Sequence, residues 1–192
     1  MKLFLLYIFV TPAVIFGQGN FYDRNKGLEN YLDSVDQIAD FDSLLLNNES
    51  FSDRTYDGGS YLKAYFSDGE LYKIKSWFGL SYGNNSCEYY LKNKELYLVI
   101  EKFNGFEYDE KTESFNYQVY DIGANGFYVF DNKKLIDVTS LGHWRFEDDT
   151  VDPEILLQEE FSSYLKIIRS HQNDSKLLNV RLFSDDSKLT YD

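Results

Sequence analysis

The chain has 192 residues, 43% of them hydrophobic and 18% aromatic, and its 32 acidic against 19 basic side chains give a formal charge of -13. This is the composition of a globular chain rather than a disordered one, and its acidity argues against a nucleic-acid binder or an anionic lipid surface, both of which require a basic patch. A single cysteine, Cys87, excludes an internal disulfide and any multi-cysteine zinc or iron–sulfur site.

Residues 1–17 read as an export signal. Lys2 supplies the positive charge, Leu3 to Val10 form an apolar run, Pro12 breaks it, and Gly17 is a small residue at the cleavage point. The run falls short of the ~20 apolar residues of a spanning helix. The mature chain, residues 18–192, is therefore expected as a single periplasmic or extracellular domain with no membrane insertion.

After the leader, Leu28, Tyr31, Leu32, Val35, Ile38, Ala39, Leu45 and Leu46 recur at three- and four-residue steps, which predicts a helix over about 27–46. From about 60 to 146 aromatic and β-branched residues alternate with polar ones between Gly and Asn/Asp punctuation, the pattern of strands and hairpins. A repeat runs through this part. Ala64–Ile74 aligns with Tyr89–Val99 and with Tyr128–Val138, and a weaker copy starts at Leu182. Each copy is two short strands around a turn at Asp68-Gly69, Asn93-Lys94 or Asn132-Lys133; Asp-Gly suits a two-residue type I′ turn and the Asn-Lys pairs suit it less. Longer connections are expected at Trp77–Asn85 and at the acidic bend Tyr108–Glu113.

Asp152-Pro153 then reads as a helix N-cap with proline at the first helical position. Leu157, Phe161, Tyr164, Leu165 and Ile168 form the apolar face of a helix over about 153–169, with Lys166, Arg169 and His171 at its end. Residues 172–192 read as a polar tail. The fold class is thus α+β: an antiparallel meander of about seven or eight strands packed by an N-terminal and a C-terminal helix.

The repeated formula of two aromatics, an Asp/Asn turn and a Leu resembles the hairpins of small exported bacterial proteins of uncharacterised function and, more loosely, MORN-like Tyr-x-x-Asn-Gly-x-Leu hairpins. The resemblance covers residues 60–140 and implies no catalytic or binding residues.

Catalytic motifs are missing. Ser140-Leu141-Gly142-His143 does not form a nucleophile elbow, no His-Glu-x-x-His is present, and no cofactor is implied. Asp148, Asp149, Asp152 and Glu154 form a weak calcium candidate without EF-hand spacing. The unusual quantity is the load of 17 Tyr, 16 Phe and 2 Trp. Tyr65, Tyr72, Tyr89, Tyr97, Tyr117 and Tyr128 could offer stacking surface on one sheet face, and Trp77, Tyr82, Tyr97, His143 and Trp144 are the binding candidates. The expected role is a non-catalytic binding or interaction protein whose partner is a cationic protein or a glycan. A carboxylate-dependent secreted hydrolase and a structural envelope component are the alternatives.

Overall fold

The computed structural model describes residues 21, 23–38, 42–142, 145–146 and 150–185, with side chains up to 173 apart from 122. The expected export segment lies outside these residues. Met1–Ala39 and Asp40–Asp192 form two compact units. In the first, helix α1 (Leu28–Asp36) begins after Gly27, whose φ of 97° starts the turn that only glycine enters freely, and Leu28 and Val35, two turns apart, are buried.

The helix expected to reach residue 46 therefore stops at Asp36, and Asp42–Asn47 is strand β1. Three consecutive leucines carry no periodicity that separates helix from strand; the neighbour decides. Asp42–Asn47 pairs antiparallel with Tyr61–Phe66, burying Leu46 and leaving Leu45 exposed.

The second unit continues with β2 (Ser60–Ser67), β3 (Glu70–Leu80), β4 (Gly83–Lys92), β5 (Glu95–Asp109), β6 (Ser114–Asp131) and β7 (Lys134–Leu141). They form one seven-stranded sheet in sequence order, every neighbour antiparallel. Its span is thus 42–141 rather than 60–146. The three aligned segments are its β2–β3, β4–β5 and β6–β7 hairpins. All six turn residues have positive φ, including Lys94 at 67° and Lys133 at 64°. A register shift falls at the same place before each turn, at Tyr65/Phe66, Tyr90/Leu91 and Val129/Phe130.

The longer connection expected at Trp77–Asn85 is instead the two-residue turn Ser81-Tyr82 between β3 and β4. Asn84 and Asn85 are strand residues here because their amides find partners in the sheet: Asn84 Nδ2 donates to Tyr120 Oη and Asn85 Nδ2 to Glu101 Oε1.

Helix α2 (Pro153–Asp185) starts as its sequence indicates, with the Glu154 N–H donating to Asp152 Oδ1 at 2.8 Å. Leu157, Phe161 and Ile168 enter a core with Leu62, Ile74, Tyr89, Val99, Tyr128 and Phe130. The expected polar tail and the fourth repeat copy are corrected, because the helix continues to Asp185. No Gly or Pro interrupts residues 154–185, so nothing ends it at 169, and Lys166, Arg169 and His171 lie within it.

Candidate functional site

Side-chain alternation gives the sheet two different faces. Toward α2, one row across β2–β5 is Leu62, Ser76, Cys87 and Glu101, and the next is Ala64, Ile74, Tyr89 and Val99, followed by Tyr128 on β6. Tyr89 and Tyr128 are fully buried in this layer, so they are core residues and offer no stacking surface. Glu101 is buried too, at 2% exposure. Its Oε1 accepts from Asn85 Nδ2 at 3.0 Å and its Oε2 from Arg145 Nε at 3.2 Å. Arg145 forks onto Glu160 of α2, 2.8 Å from Nη1 to Oε1 and 3.1 Å from Nη2 to Oε2, and Tyr89 Oη donates to Glu160 at 2.7 Å.

Burial raises the Glu101 carboxyl above its ordinary value, a shift that Arg145 and Asn85 only partly offset. Burial likewise pushes the Cys87 thiol up, which keeps it protonated and unreactive. Two acids thus converge, but on an arginine that holds both, and the cluster ties α2 to the sheet.

The opposite face carries the cleft. Tyr61, Lys63 and Tyr65 of β2 share it with Lys73, Lys75 and Trp77 of β3; Tyr61 stands opposite Trp77 and Lys63 opposite Lys75. The Tyr61 and Trp77 rings stack, 5.6 Å apart and 14° from parallel. Beyond Trp77 the segment before β2 meets β3 backbone to backbone. The Gly58 N–H donates to the Gly79 carbonyl at 3.0 Å and the Gly79 N–H to that of Gly59 at 2.8 Å. A Cβ on Gly79 would lie 2.6 Å from the Gly58 Cα, so only glycine allows this approach.

The far wall comes from β5 and β6, which continue past the end of β4. Their ladder is irregular here: Phe106 pairs with Tyr120 but Glu107 with Asn116, so residues 117–119 leave the register. Phe106 and Tyr120 stack at 5.2 Å and 14°, and Tyr117 meets Phe106 edge-on at 5.2 Å. The resulting cleft of about 510 Å³ is lined by Trp77, Phe106, Tyr117, Tyr120, Asn84 and Asp57, among others. That volume lies within the ~300–1,000 Å³ range of small-ligand sites.

Asn84 orders the polar part. It is buried, with Oδ1 accepting from Asn104 Nδ2 at 3.1 Å and Nδ2 donating to Tyr120 Oη at 2.9 Å. A phenol that accepts this bond has its own O–H left to donate into the cleft.

Of the residues selected from sequence, Trp77 and Tyr117 are in the cleft. Tyr82 sits on the adjoining turn, exposed, with its ring 5.9 Å from Phe103. Tyr97 lies elsewhere, on the β4–β5 hairpin under Lys92 Nζ at 4.8 Å. His143, Trp144, Asp148 and Asp149 lie outside the described residues. Asp152 caps α2, and Glu154 Oε2 accepts from the Leu135 N–H at 2.8 Å. Sequence reasoning missed Phe106, Tyr120 and the role of Asn84, because their meeting depends on the bulged β5–β6 register, which leaves no periodic trace.

The chain matches no protein-family model, no curated protein and no solved structure. Among the described residues no helix is long and apolar enough to cross a membrane.

Proposed function

We propose that the protein is an exported, non-catalytic binding module that holds a sugar ring in the aromatic cleft. The observation that carries this reading is the stacked Phe106–Tyr120 pair sharing one cleft with Trp77 and the buried Asn84 amide. A pyranose has two kinds of surface. Its C–H faces carry partial positive charge that matches the negative face of an aromatic ring, and its hydroxyls need in-plane donors and acceptors such as an amide, a phenol and a carboxylate. Asn84, Tyr120 and Asp57 supply those groups beside the rings.

Hydrolysis of a glycoside requires two carboxyl groups ~5–10 Å apart across the bond that breaks. Among the described residues Asp57 is the one carboxylate lining the cleft, which favours binding over a carboxylate-dependent hydrolase. A purely structural envelope component would have no use for a cleft of this kind. Export is supported by the pattern of residues 1–17, and N-terminal sequencing of protein recovered outside the cytoplasm is expected to begin at Gln18.

Calorimetric titration of the protein with neutral hexasaccharides of glucose and of N-acetylglucosamine, and with a uronic-acid hexasaccharide, tests the reading. At least one is expected to bind and to be recovered intact. Trp77→Ala should weaken that binding at least about tenfold, as for a central aromatic anchor, whereas Tyr97→Ala leaves it unchanged. Absence of binding to every sugar, or equal loss in the two variants, would overturn it, and recovery of shortened sugars would establish the hydrolase.

A further inference from the structure

We infer that the sugar held in the cleft is an acidic one, its carboxylate or sulfate taken by Lys63 and Lys75; this rests on the sugar-cleft reading. In a chain of formal charge -13, neighbouring strands β2 and β3 place three lysines, Lys63, Lys73 and Lys75, on the face that runs into the cleft. Lys63 and Lys75 stand directly opposite each other, an arrangement of like charges that works against sheet stability. The carboxylate of β4 on this face, Glu88, is shared: Lys75 Nζ lies 3.0 Å from Oε1, Lys73 Nζ 4.0 Å from Oε2, and Tyr90 Oη donates to Oε2 at 2.8 Å. Three lysines thus share a single carboxylate, so two positive charges stay uncompensated on this face, one of them on Lys63. Its Nζ rests over the Tyr65 ring at 4.8 Å, and among the described residues it meets no carboxylate.

Position completes the argument. Lys75, Trp77 and Gly79 follow one another on the same face of β3, with spacing of about 7 Å per two residues. The Lys63–Lys75 pair is therefore one step from the Tyr61–Trp77 stack and just outside the cleft lining, where it meets a charged substituent that extends past Trp77 along the sheet face. Asp57 borders the cleft at the Gly79 end, on the other side of Trp77. An acidic ligand can thus place its charge at the lysine end and its hydroxyls near Asp57. Lys63 and Lys75 both keep part of their surface in solvent, so a ligand can reach them without moving the sheet.

The test compares three hexasaccharides of matched length, neutral (glucose), carboxylated (galacturonate) and sulfated (a sulfated glucose oligomer), against the full chain. The wild type should bind a charged hexamer about tenfold or more tighter than the neutral one, the effect of one or two charge-assisted contacts, and this margin should shrink as salt rises. Whichever charged hexamer binds more tightly identifies the acid group. The double variant Lys63→Gln/Lys75→Gln should lose the preference yet keep the neutral affinity, and Lys63→Arg/Lys75→Arg should retain both. Equal binding of all three sugars by the wild type, or a preference that survives in the Gln variant, overturns this inference and leaves the cleft reading standing. Failure of every hexamer to bind overturns both.

Discussion

At the residue scale, the group on which most depends is Arg145. It is the cation that meets the buried Glu101 carboxylate, and through Glu160 it links that carboxylate to α2. Removing one partner of such a set leaves the other charge buried and unpaired, which costs far more than the set itself contributes. Arg145→Met is expected to destabilise the protein by about 2–3 kcal/mol, below the full cost of a completely buried pair because the arginine keeps 32% of its side-chain surface. Arg145→Lys should recover little of this, since an ammonium cannot fork onto Glu160 while also meeting Glu101. Adding Glu101→Met to Arg145→Met should recover part of the loss. Urea unfolding midpoints of the variants check this; an Arg145→Met midpoint equal to wild type would show that the cluster adds nothing to stability.

At the element scale, the three hairpins solve one geometric problem with unequal residues. The type I′ form of a two-residue connection, which these three hairpins take, needs positive φ at both central positions. Asp68-Gly69 meets this with a glycine at the second position, whereas Lys94 and Lys133 adopt φ of 67° and 64° against the cost of their Cβ atoms. Lys94→Gly and Lys133→Gly should therefore each stabilise the fold, by roughly 1 kcal/mol, as read from thermal or urea midpoints. The neighbouring hydrogen bond from Gln158 Nε2 to the Lys133 carbonyl, at 2.7 Å, uses the main chain and survives the change. A loss of stability in both variants would mean that the lysine side chains make contacts worth more than the turn strain. The hairpin positions were legible in the sequence because turn chemistry is local. The register shifts before each turn were not, since a bulge depends on two strands together.

At the scale of the whole molecule, net charge describes the far field and says little about any one face. The chain is strongly acidic, yet its cleft face gathers lysines, because period-two alternation and strand register bring Lys63, Lys73 and Lys75 together from two strands. Protonation acts on stability with opposite signs at two carboxylates. Glu101, raised above the ordinary 4.5, binds its proton more tightly folded than unfolded, so its contribution to stability grows as pH falls from neutrality through its raised value and levels off below 4.5. Glu88 is the reverse. Burial opposes its charge, but Lys73, Lys75 and Tyr90 hold it below 4.5, so it contributes above that pH, and the contribution is lost as pH falls through its lowered value. Urea midpoints between about pH 3 and pH 7 should show Glu101→Gln flattening the limb above 4.5 and Glu88→Gln the limb below it. Unchanged limbs would remove these two groups from the acid response.

Local physics determined much of this protein from sequence alone. Alternation and turn residues marked an antiparallel meander, and Asp152-Pro153 with the spacing from Leu157 to Ile168 marked the start and face of α2, because each depends on residues a few positions apart. Tertiary structure decided the rest. Whether Leu44–Leu46 joined a helix or a strand was settled by β2. The burial of Tyr89 and Tyr128 was settled by α2 covering their face of the sheet. The meeting of Trp77, Asn84, Phe106 and Tyr120 was settled by strand register and by two glycines in contact, relations between distant segments that no single stretch of chain encodes.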